Sequence, residues 1–89
     1  MITANEASDL VFKGVKNEYD KYANEVERDI RVAAMDGQRS VIVPIEINTA
    51  KEQEALRLLI NELKENGFYA VCNDYVLGRR AKWEISVSW

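Results

Sequence analysis

The run Lys82-Trp83-Glu84-Ile85-Ser86-Val87-Ser88-Trp89 sets an apolar side chain at every second position, with a polar residue between each pair. Successive side chains of a β-strand point to opposite faces, so this period predicts a strand with one face in a core and the other toward water. Working back, Phe68 to Asn73 predicts a second strand. Ser40 to Ile47 predicts a third, because it is rich in Val and Ile, whose branched Cβ favours pleated backbone. Pro44 lies inside that third run and donates no backbone hydrogen, which places the strand at a sheet edge. Between these runs, Thr49-Ala50-Lys51-Glu52 has the capping-box spacing, opening a helix that buries Ala55, Leu56, Leu59, Ile60 and Leu63 and closes at Asn66-Gly67. Strand, crossover helix, strand makes the first two strands parallel with a right-handed connection, and the last returns antiparallel through a loop from Asp74 to Arg80. The spatial order first, third, second puts the most regular strand at the centre and the proline strand outside.

Toward the N-terminus, Thr3-Ala4-Asn5-Glu6 repeats the capping-box spacing, so a helix starts near Ala4. Gly14 offers a break, and the chain resumes with Val15, Tyr19, Tyr22, Val26, Ile30 and Ala33 in steps of three and four, one apolar stripe along a helix. Asp36-Gly37 supplies a left-handed stop. The fold class that follows is α+β in the order ααβαββ: a small three-stranded mixed sheet packed by helices, with a long N-terminal helical arm. The whole forms a single domain over 1–89, with the arm in 1–37 and a β-α-β-β unit in 38–89. The N-terminal helix covers the remaining apolar surface or pairs with another copy.

The 89 residues are 47% hydrophobic and 30% charged, a balance that supports a folded domain but one short enough for self-association to be a natural source of stability. A net charge of −3 argues against coating duplex nucleic acid or an anionic membrane. Residues 1–36 carry five Lys or Arg against eight acids, whereas residues 37–89 carry seven of each, so the acidic excess belongs to the helical arm. Histidine is absent, which removes the commonest general base and zinc ligand and with them classical triads and zincin motifs. No calcium-loop or phosphate-loop spacing occurs. The single Cys72 lies in a strand and reads as a packed residue, and with no leader or long apolar run the chain reads as cytosolic. Asp74 and Glu84 flank the last turn but read as exposed hairpin acids. The expectation is therefore no enzyme, no metal and no cofactor.

Gly78-Arg79-Arg80-Ala81-Lys82 packs three cations beside Tyr75. Arginine forks match pairs of phosphate oxygens and an aromatic ring offers a stacking face, so Arg79, Arg80, Tyr75 and Lys82 are the candidate ligand-binding residues, with Arg39 as a further cation and Trp89 as a further stacking ring. The plainer alternative is a charged tip that keeps a sheet edge soluble, with Trp83 and Trp89 in the core. Tyr19 and Tyr22 belong to the apolar stripe, as packing residues or as part of a subunit interface.

Ile2-Thr3-Ala4-Asn5-Glu6-Ala7 opening a helix, Asn66-Gly67-Phe68-Tyr69 closing one and Ile85-Ser86-Val87-Ser88-Trp89 ending the chain together resemble small phage-encoded accessory proteins. Within that group the chain is similar to the phage anti-CBASS sponge proteins of the tetrameric cyclic-dinucleotide-binding type. The similarity spans nearly the whole chain through short motifs, the terminal Ser88-Trp89 among them. It implies an immune-evasion protein of the host cytoplasm, a homotetramer or other homo-oligomer, that sequesters a cyclic dinucleotide signal of antiviral defence without cleaving it. The ligand class alone comes from the resemblance; the candidate residues come from their own chemistry. The alternative is a small phage protein that binds and inhibits a host protein, by charge mimicry on the acidic arm or by strand addition.

Overall fold

The structure, a computed structural model, describes residues 1–77 and 80–89, and the side chains of all of these except residues 74–82. Its elements run α1 (Ala4–Met35), β1 (Ser40–Glu46), α2 (Ala50–Glu65), β2 (Tyr69–Leu77) and β3 (Arg80–Ser88). The α+β class and the strand order β1-β3-β2 follow the expectation. Two details differ. The helix is unbroken through Gly14, so one α1 replaces the two expected helical segments. The cost of one exposed helical glycine, about 1 kcal/mol, is small beside the packing of the turns that follow. Both pairings of β3 are antiparallel, so the sheet is not mixed. β1 and β2 do run in the same direction, but β3 lies between them. The expected loop from Asp74 to Arg80 is also mostly strand, because Asp74 through Leu77 continue the ladder opposite Trp83 through Arg80.

Each boundary has a local cause. The Thr3 hydroxyl accepts from the Glu6 amide at 3.2 Å and the Thr49 hydroxyl from the Glu52 amide at 3.1 Å, satisfying helix-start donors that have no partner inside the helix. Gly37 at φ +80° and Gly67 at φ +90° take the left-handed conformation that closes the two helices. Behind them the Gln38 amide returns to the Ala33 carbonyl and the Phe68 amide to the Leu63 carbonyl.

The Trp89 amide donates to the Arg39 carbonyl at 3.0 Å. In an antiparallel ladder bonded and non-bonded pairs alternate, so Val41, Val43 and Ile45 turn their backbone groups toward β3 and Pro44 turns its nitrogen to the free edge. The proline thus costs the ladder no hydrogen bond. One sheet face carries Val43, Ile45, Ala70, Ile85 and Val87, all buried, and both helices cover it. From α1 the stripe Val15, Tyr19, Tyr22, Val26 and Ala33 is buried and Ile30 half-buried; from α2 Ala55, Leu56, Leu59 and Leu63 are buried. α1 is thus part of the core over residues 15–33, and its first turns extend beyond the core with Phe12 packed on Tyr19, ring centroids 5.5 Å apart. Among the described residues no helix is long and apolar enough to cross a membrane.

Candidate functional site

The candidate ligand residues fall into two groups at opposite ends of the sheet. Register sets Glu46, Lys82 and Tyr75 in one row across the three strands, with Arg80 opposite Leu77 just beyond it. Arg39 and Trp89 form the last pair at the other end, joined through the backbone. Seven residues of strand separate Lys82 from Trp89, about 23 Å. A single chain therefore does not gather the six residues around one ligand. Arg79 lies outside the described residues, and so do the side chains of Tyr75, Arg80 and Lys82. Glu84 is set opposite Asn73, and Asp74 opposite Trp83, so the two acids that flank the turn are not paired in register.

Trp89 is half-buried against the core and meets Phe68 edge to face, ring centroids 6.3 Å apart. Its packing role is thus in place, with part of the ring still open. Trp83 and Cys72 are half-buried on the same face, on the wall of a groove beside α2 that also includes Leu56, Ile60, Arg57 and Lys64 and has a volume of about 700 Å³. A second groove of about 590 Å³ runs between α1 and α2, with Tyr19, Ile30, Leu63 and Phe68 as its apolar lining and Glu27, Arg31 and Glu62 at its rim.

Two features escaped sequence reasoning. The first is the sheet face turned away from the helices, which carries Ser40, Ile42, Pro44 and Glu46 from β1, Glu84, Ser86 and Ser88 from β3, and Tyr69, Val71 and Asn73 from β2. Ile42 is 61% exposed and Tyr69 71%, and the serines of β3 form a low floor between them. The signal was present: Ile42 and Val71 are apolar at positions whose neighbours supply the buried face.

The second is a partly buried polar link. The Tyr22 hydroxyl donates to Glu52 Oε2 at 2.6 Å and lies 3.3 Å from the Glu46 carbonyl. Glu52 Oε1 in turn accepts from the Thr49 hydroxyl and the Asn48 amide. Burial, and then donation to an acid, push the Tyr22 phenol well above its ordinary value, with Glu52, Glu18 and Glu25 adding negative charge nearby. The Tyr22 hydroxyl above all holds the Glu52 carboxyl below its ordinary value, against partial desolvation and with help from Thr49, Asn48 and Lys21. This link ties α1, the end of β1 and the start of α2 together. Its groups are each other's partners, which makes it a structural clamp. Among the described residues no three His, Cys, Asp or Glu side chains gather as a metal site.

No family model, curated protein or solved structure matches the chain.

Proposed function

We propose that this protein is a non-catalytic binder that acts as an assembly of identical chains and holds a cyclic dinucleotide without cleaving it, in the cytoplasm of a phage-infected host. The observation that carries the assembly is the division of the candidate cations and rings between two ends of one sheet. A ligand with two phosphates and two bases needs several such groups at once, and two copies supply what one does not. The ligand class follows from the likeness to the anti-CBASS sponge proteins. Sequestration needs no general base, in keeping with a chain that has no histidine.

Mass spectrometry of small molecules released by denaturing the purified protein is the direct test. An intact cyclic dinucleotide in near-stoichiometric amount is expected, and a cleaved product would instead make the protein a hydrolase. Isothermal titration with a panel of cyclic dinucleotides adds the residues: Arg79→Ala with Arg80→Ala is expected to abolish the heat of binding, and unchanged affinity would remove both from the site.

The exposed sheet face with Ile42, Val71 and Tyr69 favours a second reading, a surface that docks a host protein. That reading predicts a single stoichiometric partner in a pull-down from host lysate, lost on Ile42→Glu with Tyr69→Glu, and no nucleotide released from the purified chain.

A further inference from the structure

A second stripe runs along α1 beside the buried one. Val11, Gly14, Glu18, Lys21, Glu25, Arg28, Val32 and Met35 follow one another in alternating steps of three and four, one face of the helix that is charged in its middle and apolar toward its ends. None of them is buried in the chain: Val11 is 45% exposed, Val32 57% and Met35 88%. Among the described residues, and apart from its chain neighbours and its own helix backbone, nothing lies within 4 Å of the space a Cβ on Gly14 would take.

Reversed and laid against itself about Ala23, this stripe meets its own complement. Val11 faces Met35 of the second copy, Gly14 faces Val32, Glu18 faces Arg28 and Lys21 faces Glu25, and two-fold symmetry repeats the four contacts. Apolar residues meet at both ends, and in the middle every charge meets its opposite. Gly14 leaves room for the Val32 side chain. A parallel pairing would set Glu18 on Glu18, Lys21 on Lys21, Glu25 on Glu25 and Arg28 on Arg28, so the charge pattern selects the antiparallel one.

We propose that α1 is the dimerisation element of this protein, packing antiparallel against α1 of a second copy along Val11 to Met35, a seam about 36 Å long. The pairing gives a place to Val11 in the first turns of α1, which is 45% exposed in its own chain. The arm of one copy runs along the far half of the other's α1, beside the small groove of about 250 Å³ lined by Val32, Ala33 and Val41. The Tyr22 hydroxyl contacts the Glu46 carbonyl, so the Glu46 end of each sheet lies level with the dyad while Arg39 and Trp89 stay at the outer ends. The inference rests only on the self-association in the reading above and not on its ligand, since this pairing by itself leaves Arg39 and Trp89 far from the Glu46 ends.

Cysteine crosslinking in a Cys72→Ser background tests the geometry. Val11→Cys with Met35→Cys places thiols about 36 Å apart on one helix, too far to join within a chain, and is expected to give a covalent dimer under mild oxidation. Val11→Cys alone is expected to give none; a covalent dimer from that single variant means a parallel pairing and overturns the proposal. Sedimentation equilibrium tests the charges. Arg28→Glu is expected to weaken the dimer on the order of tenfold, because the dyad repeats the reversed pair. Glu18→Arg added to Arg28→Glu is expected to restore it, and these two residues, about 15 Å apart on one helix, do not compensate each other within a chain. Far-UV circular dichroism checks that each variant keeps its fold. If the doubly substituted chain dimerises but forms no disulfide between its two introduced thiols, the seam is overturned and the assembly stands, whereas a monomer at every concentration overturns both.

Discussion

Residues 4–14 and residues 15–33 belong to one helix, yet the second stretch is the roof of a core and the first lies beyond it. Val15, Tyr22 and Val26 are almost wholly enclosed, while Leu10 and Phe12 remain 57% and 42% exposed. Helix propensity does not separate the two stretches. The packing beneath does, because the sheet and α2 enclose the second stretch, whereas of the first only Phe12 reaches a groove along α2. A helix end whose apolar residues are only partly covered in its own chain is held by continuity with the packed turns.

The contrast is broken most severely from the sheet side. Ile85→Ala, at a fully enclosed position of the central strand, is expected to destabilise the fold by about 3 kcal/mol, whereas Leu10→Ala on the arm should cost less than about 0.5 kcal/mol; urea unfolding of both variants, read at a concentration where the chain is monomeric, measures the gap. Tyr22→Phe removes the clamp between α1 and α2 and is expected to cost about 1–2 kcal/mol.

The same variant sharpens the comparison through pH. Glu52 has its folded pKa depressed, so its contribution is present above the unfolded value near 4.5 and is lost as pH falls through the folded one. Tyr22 has its folded pKa raised and is an acid, so the folded state keeps its proton longer. Stability is unaffected below the ordinary value of 10.0 and falls as pH rises past it. Melting temperature against pH should therefore drop at both extremes in the natural chain, and Tyr22→Phe should flatten both limbs; limbs that survive the substitution would place their origin elsewhere.

Two glycines give the smallest and most pointed pair. Gly67→Ala forces a side chain into the left-handed conformation at φ +90° and is expected to cost about 1 kcal/mol. Gly14→Ala adds a methyl group to open space within a helix and is expected to raise the stability of the isolated chain by about 0.5–1 kcal/mol. Thermal melts of the two variants should move in opposite directions.

Much of this architecture was legible from local pattern. The hydroxyl caps at Thr3 and Thr49, the stops at Gly37 and Gly67, the buried stripe from Val15 to Ala33 and the alternation from Trp83 to Trp89 each depend on residues a few positions apart, and each formed where expected. Pro44 was readable as an edge residue for the same reason, since a missing donor is a property of one residue. The candidate site was legible only as chemistry. Composition could bring Arg79, Arg80 and Tyr75 together because they are neighbours in the chain, but it had no means to show that Arg39 and Trp89 end at the opposite side of the sheet. The seam on α1 was present in the letters too. A second face of the same helix stood behind the buried one, and only the structure says which face is taken.

The sequence by itself determined where α1 and α2 start and stop, which face of the central strand is apolar, and that no histidine chemistry is available, because these are set by propensity, spacing and composition over short range. Only the tertiary structure decided that α1 runs straight through Gly14, that β2 continues to Leu77, that Tyr22 and Glu52 clamp two helices, and that one sheet face stays open. Those outcomes depend on which distant surfaces meet, and the free energy of meeting is a property of the packed whole.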